Sequence, residues 1–283
     1  MGKVILNNGV EMPILGYGIF LITDKKKCEQ CVVEALEIGY RLIDTAANYT
    51  NEDAVGNTIK RSGIPREDIF VTTKLDIFDQ GYENAKKAFE KSLNKLQLDY
   101  LDLYLIHMPY GDVFGSWRAM QELYQEGKIK SIGVSTFSAA RLYDLMQHSD
   151  IKPAVSMIEA HPFFQQYENK AFCKENNIQM EAWGPLTQNK FNIFQNELLS
   201  EIGGKYEKSV AQVILRWFVQ REIVVIPKTT SKSRIEENFN IFDFELSSDD
   251  MAQIATLDTN KSIFHEFGDL GYAKLCHEFR SPK

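Results

Sequence analysis

Ile69-Phe70-Val71-Thr72-Thr73 followed by Lys74, a helix-period segment over 83–96, and Leu101-Asp102-Leu103-Tyr104-Leu105-Ile106 followed by His107 make the stretch that decides the fold. The two apolar, β-branched runs read as strands, and the segment between them reads as an amphipathic helix. Two such strands lie parallel, because the helix between them is the crossover that parallel neighbours require. The same unit, about 30 residues long, recurs on both sides. Towards the N-terminus stand Ile14-Leu15-Gly16-Tyr17 and Tyr40-Arg41-Leu42-Ile43. Towards the C-terminus stand Ile129-Lys130-Ser131-Ile132-Gly133-Val134, Ala154-Val155-Ser156-Met157-Ile158, Ile178-Gln179-Met180-Glu181-Ala182 and Ile223-Val224-Val225-Ile226. Further helix-period segments cover 26–38, 116–126, 139–147 and 210–220. Eight strand–helix units predict an α/β fold of the (β/α)8 TIM-barrel type, in a single domain over 1–283. An open doubly wound sheet shows the same alternation and is the alternative.

Ahead of the first unit, Val4-Ile5-Leu6, Asn7-Asn8-Gly9 and Val10-Glu11-Met12 predict a β-hairpin that plugs the barrel bottom. Beyond Asp258 the tail is rich in aromatics and shows no clean period. It is a candidate roof over the barrel mouth, or a loosely ordered end.

The composition, 44 % apolar and 25 % charged, excludes a disordered or low-complexity chain. No run of about 18 apolar residues is present, so no membrane partner is expected, and the opening residues are too polar for a signal peptide. A net charge of −7 argues against nucleic acid as a partner while permitting a local basic pocket. A cytoplasmic monomer acting on a small molecule is the expectation. Four cysteines fit a reduced-thiol pattern. Cys28 and Cys31 form a C-x-x-C within a helical segment, where packing is favoured over redox or metal chemistry, and no metal site is expected.

In a barrel of this kind, active sites assemble at the C-terminal ends of the strands. Asp44 follows the second strand, Lys74 the third and His107 the fourth, with Tyr49 five residues beyond Asp44. Read singly, each has a plain role: a helix cap, a strand-end lysine, a packed aromatic, a core histidine. Together they form a chemical set. An ammonium beside a phenol favours the phenolate and lowers its pKa, and a carboxylate keeps that ammonium charged. Tyr49 would then donate a proton, and His107 would hold a carbonyl oxygen. For a cofactor, Gly16-Tyr17-Gly18-Ile19-Phe20-Leu21 lacks the third glycine of the dinucleotide fingerprint. After the last strand, Pro227-Lys228-Thr229-Thr230-Ser231-Lys232-Ser233-Arg234 offers cations, hydroxyls and a helix N-terminus to an anion.

The sequence resembles the aldo-keto reductase superfamily over almost its whole length. The resemblance is carried by Gly16-Tyr17-Gly18, Asp44-Thr45-Ala46-Ala47-Asn48-Tyr49-Thr50-Asn51-Glu52, Leu105-Ile106-His107-Met108-Pro109 and Gly127-Lys128-Ile129-Lys130-Ser131-Ile132-Gly133-Val134-Ser135-Thr136-Phe137. Ile158-Glu159-Ala160-His161-Pro162, Trp183-Gly184-Pro185-Leu186 and Ile226-Pro227-Lys228 through Asn238 complete it. Within the superfamily it is most similar to the microbial branch with 2,5-diketo-gluconate reductase-type and prostaglandin F synthase-like enzymes. The resemblance implies an NADPH-dependent reductase of aldehydes and ketones, with Tyr49 as proton donor and Asp44, Lys74 and His107 as its partners. It implies cofactor contacts from Gly18, Ser135, Thr136, Met157, Trp183, Gly184, Leu186, Lys228, Thr229, Arg234, Glu237 and Asn238. Among these, Trp183 would lie on the nicotinamide, and Lys228, Thr229 and Arg234 would hold the 2′-phosphate. Phe20, Met108, Phe264 and His265 are the expected substrate pocket. Three departures stand out: Thr136 replaces the usual Asn, Ser156-Met157 replace Asn-Gln, and Met108 replaces Trp. Two rival readings are an NADPH-binding barrel acting as a redox-sensing or partner-binding subunit, and a lyase or isomerase with a Schiff base on Lys74.

Overall fold

In the structure, a computed structural model describing residues 2–264 and 268–278, two three-residue strands, β1 (Lys3–Ile5) and β2 (Glu11–Pro13), pair antiparallel with Val4 opposite Met12. Their turn uses Gly9 at φ +85°, a left-handed angle that glycine adopts without strain. Asn7 Nδ2 donates to the Pro153 carbonyl at 2.9 Å and Asn8 Nδ2 to that of Lys130 at 2.8 Å. Both carbonyls precede barrel strands, so the hairpin closes the bottom, with Leu6 and Met12 buried against the barrel interior.

The chain then runs through β3 (Tyr17–Gly18), α1 (Lys25–Ile38), β4 (Leu42–Asp44), α2 (Glu52–Ser62), β5 (Phe70–Leu75), α3 (Tyr82–Leu96) and β6 (Leu103–Ile106). It continues with α4 (Val113–Gln125), β7 (Ile132–Ser135), α5 (Ala139–Gln147), β8 (Val155–Glu159), α6 (Tyr167–Glu175) and β9 (Gln179–Trp183). The last elements are α7 (Glu197–Tyr206), α8 (Val210–Gln220), β10 (Val224–Val225), α9 (Lys232–Phe239), α10 (Ser248–Ala255) and α11 (Leu270–Glu278). Strands β3 to β10 are joined in sequence order, every pair parallel. The first and last strands also meet. Leu15 bridges Val225 in parallel, with Gly16 N donating to the Val225 carbonyl and Val225 N to that of Ile14. That seam decides for the closed barrel over the open sheet.

Two apolar layers hold the fold. One lies between strands and helices; the other fills the barrel with Leu42, Phe70, Leu103, Leu105, Val155, Met157, Val224 and Ile226. Gly16 is required at the seam, since a Cβ there would stand 2.5 Å from the Leu42 side chain and 2.9 Å from Ile226.

The strands lie slightly later than the apolar pattern suggests. Asp44 ends β4 and Lys74 lies inside β5, so both are strand residues and not the first residues past a strand. Their polarity hid the strand ends, since a charged residue facing the barrel mouth reads as the start of a loop. The tail, read as without period, forms helix α11. Cys28 and Cys31 are both buried in α1. Among the described residues, no three His, Cys, Asp or Glu side chains gather to hold a metal ion, and no helix is long and apolar enough to cross a membrane.

Candidate active site

Asp44, at the end of β4, accepts from Lys74 Nζ through both oxygens, at 2.6 and 2.7 Å. The third Nζ proton goes to the Thr45 carbonyl at 2.9 Å. Lys74 is 1 % exposed. Burial alone would drive off its proton, but the Asp44 carboxylate outweighs that and holds the ammonium above the ordinary lysine range.

Tyr49 sits on a short 3-10 turn, Ala47–Tyr49. Asn51 fastens that loop, taking a hydrogen bond from Thr45 Oγ1 at 2.9 Å and donating to the Ile19 and Ile22 carbonyls beyond β3. The Tyr49 ring lies 5.0 Å from Lys74 Nζ, 5.7 Å edge-on from the His107 ring, and 5.0 Å from the Phe20 ring. The quartet from three strand ends is therefore one cluster.

Its electrostatics depart from the expectation in one respect. Burial raises the Tyr49 pKa, and the opposing pull of Lys74 offsets only part of that rise. The phenol thus stays firmly protonated. Burial, helped by the Lys74 charge, pushes His107 down to about 3. The imidazole is therefore neutral at any physiological pH, and its Nδ1 has no partner among the described residues.

Around the quartet, Ser135 and Thr136 are buried side by side at the end of β7, their hydroxyls 3.3 Å apart. Thr136 has φ +65°, a left-handed angle costly for a β-branched side chain and tolerated by Asn. Thr136→Asn should therefore stabilise the protein by about 1–2 kcal/mol, read in denaturant unfolding. An unchanged midpoint would contradict that.

The paired departure at 156–157 divides. Met157 faces the barrel interior, whereas Ser156 points outward to Cys173 of α6. Strand alternation thus turns only Met157 towards the barrel interior.

Trp183 ends β9 and carries the Phe264 ring at 5.2 Å. Phe264 is held there through its neighbours: Ser262 Oγ donates to Glu159 Oε2 at 2.5 Å and Ile263 N donates to Glu159 Oε1 at 3.0 Å. Lys190 lies 4.2 Å above the Phe264 ring. From the other side of the mouth, Tyr272 on α11 donates to Met108 Sδ at 3.4 Å. The described parts of the tail thus reach the mouth at two points. His265 lies outside the described residues. Gly184 and Leu186, just beyond Trp183, are partly exposed.

Beside the seam, Gly18 N donates to the Pro227 carbonyl, and the Tyr17 hydroxyl donates to that of Thr229. Lys228 and Arg234 are exposed and have no ion-pair partner among the described residues. They flank Thr229 and the N-terminal end of α9, an arrangement suited to a phosphate ester. Asn238 is buried on α9, and Glu237 accepts from Ser209 Oγ, the cap of α8. The sequence alone assigns no role to Glu159, Lys190 or Glu181. The last is an acid inside the apolar run of β9, and that mismatch was the available signal.

Comparison with known proteins places these features in context. A model of the Aldo/keto reductase family matches residues 15–259. Glyoxal reductase of Bacillus subtilis (strain 168) is 49 % identical over 261 residues, covering 92 % of this chain and 94 % of that protein. The crystal structure of MGS-M4, an aldo-keto reductase from a Medee basin deep-sea metagenome library, superposes with a TM-score of 0.92 at 47 % identity, over 94 % of this chain and 99 % of the other. That of the Bombyx mori aldo-keto reductase in complex with NADP gives 0.89 at 33 % identity, over 96 % of each chain.

Proposed function

The chain belongs to the aldo/keto reductase family and is an NADPH-dependent reductase of carbonyl compounds; from that premise we propose that Tyr49 donates the proton, with Lys74 and Asp44 as its charged support and His107 as the orienter of the carbonyl. NADPH, when bound, supplies the hydride. One observation carries the assignment of the acid: among the described residues the alternatives are spent. His107 is neutral, and all three Lys74 protons are engaged by Asp44 and Thr45. Tyr49 is then the O–H beside His107 that the substrate oxygen can draw on. As the proton leaves, the Lys74 ammonium stabilises the phenolate left behind. His107, as a neutral imidazole, donates an N–H to the carbonyl oxygen and fixes its approach. The engaged Lys74 also disfavours a Schiff base, which needs a free amine.

Lys228, Thr229 and Arg234 suit the cofactor 2′-phosphate, because two cations with no carboxylate partner among the described residues fit a dianion. Gly18, Ser135, Thr136, Met157, Trp183, Gly184, Leu186, Glu237 and Asn238 would line the rest of the cofactor path. Phe20, Met108 and Phe264 would give the substrate an apolar, water-poor mouth. Small aldehydes and α-dicarbonyl compounds are the substrate class we favour, in keeping with the name of the glyoxal reductase relative. We read 1–283 as a single domain acting as a cytoplasmic monomer without nucleic acid, in keeping with its net charge of −7.

NADPH absorbance followed with a panel of aromatic and α-dicarbonyl aldehydes tests the reading. The expected result is turnover of both classes, with no turnover of either overturning it. Arg234→Ala should lose about 1.5–3 kcal/mol of the preference for NADPH over NADH, the scale of a hydrogen bond to a charged group. Equal preference in variant and parent, by cofactor titration, would remove Arg234 from the phosphate.

A further inference from the structure

Glu181 stands in the middle of β9, paired with Met157 of β8 on one side and Val224 of β10 on the other. Both neighbours belong to the apolar cluster inside the barrel, so the Glu181 side chain shares that interior. It is 0 % exposed, and neither carboxyl oxygen has a hydrogen-bond partner among the described residues. The groups that face it are Asp44 from β4, Lys74 from β5 and Tyr49 from the loop after β4; β8 and β10 bring only Met157 and Val224.

The charge count in this interior decides the form of the acid. Lys74 is balanced by Asp44, with all three of its protons in use. A second carboxylate would add an unmatched negative charge in a fully buried interior, with no donor among the described residues to offset it. Burial and the Asp44 charge accordingly push the Glu181 pKa well above the usual carboxylate range.

We propose that Glu181 is a positioning residue for the reduction: held as the neutral acid facing the Asp44–Lys74 pair, it leaves the Lys74 charge free to support the phenolate that Tyr49 becomes. The inference rests on Tyr49 being the proton donor. In the step itself, the Tyr49 O–H bond breaks, the proton passes to the substrate oxygen and the electron pair stays on the phenol oxygen. Glu181 keeps its own proton throughout. Were it ionised, its charge would oppose the new negative charge in a poorly screened interior and slow the transfer. The sign follows: a raised pKa keeps the productive neutral form below it, and activity falls as pH rises through it.

The test is kcat/KM against pH across the neutral and alkaline range, with NADPH and an α-dicarbonyl substrate, for the parent, Glu181→Gln and Tyr49→Phe. Glutamine is neutral at every pH. The ratio of the Gln variant to the parent should therefore climb with pH, by about tenfold per unit once Glu181 ionises. Infrared difference spectra should show a protonated-carboxyl C=O band in the parent that the Gln variant lacks. In the parent alone, that band should fade with pH in step with activity, a readout that stands even if the variant fails to fold. The absence of such a band at neutral pH, or a ratio that stays flat over the range in which the band fades, overturns the proposal. Full activity in Tyr49→Phe would instead overturn the donor assignment, which the infrared band does not depend on.

Discussion

Tyr49→Phe is expected to lower kcat/KM for carbonyl reduction by about 10²–10⁴-fold, the span a positioned general acid contributes, with NADPH affinity close to that of the parent. The substitution removes one oxygen and leaves the ring, so its contacts with Phe20 and His107 persist. What disappears is the proton source. Among the described residues nothing nearby replaces it: His107, pushed down to about 3, is not an acid at neutral pH, and the Lys74 protons are committed. The loss should therefore fall on kcat/KM and not on cofactor titration. Steady-state kinetics beside a fluorescence titration with NADPH separates the two. A variant that reduces carbonyls at the parental rate would remove Tyr49 from the chemistry.

The second large effect concerns stability. Lys74→Met leaves the Asp44 carboxylate, 2 % exposed, without its counter-charge, and stranding a buried charge costs about 3–5 kcal/mol. Reduction should fail as well. Adding Asp44→Leu removes the stranded charge, so the double variant should regain much of the stability while staying inactive. Lys74 is held above its ordinary value of 10.5. Its contribution is therefore complete below that pH and is lost as pH rises through the higher folded value. The full deficit is thus visible in urea unfolding at neutral pH. Equal instability of single and double variants would show that the pair is not what holds this part of the barrel.

Much of this design is written locally in the chain. The alternation of β-branched runs with helix-period segments announces the parallel sheet, and α5 and α8 begin and end where the pattern places them. Closure is different. It depends on Leu15 meeting Val225 across two hundred residues, and no local pattern encodes that encounter. Helix α2 was passed over because it starts three residues after Tyr49, in a stretch whose polar residues read as loop. The quartet was legible because charge at a strand end is conspicuous. The balance of forces on Tyr49 was not: the pull of Lys74 can be read from neighbours in sequence order, but burial is a property of the assembled barrel. Ser156 shows the same limit, since which of two adjacent residues faces inward depends on strand register.

The hairpin that closes the barrel floor gives the molecule a direction. Asn7 and Asn8 fasten it to the loops ahead of β7 and β8, while Tyr49, Trp183 and the tail stand at the opposite rim. Anything tethered ahead of Lys3, whether a fusion partner or a solid support, meets the protein from its sealed end. Traffic of substrate and cofactor through the rim then proceeds unobstructed. The described part of the tail, by contrast, sets Tyr272 of α11 against Met108 at the doorway itself, so a bulky group attached on α11 would crowd the entrance. For anyone mounting this enzyme on a surface, the hairpin end is the handle that leaves the mouth clear.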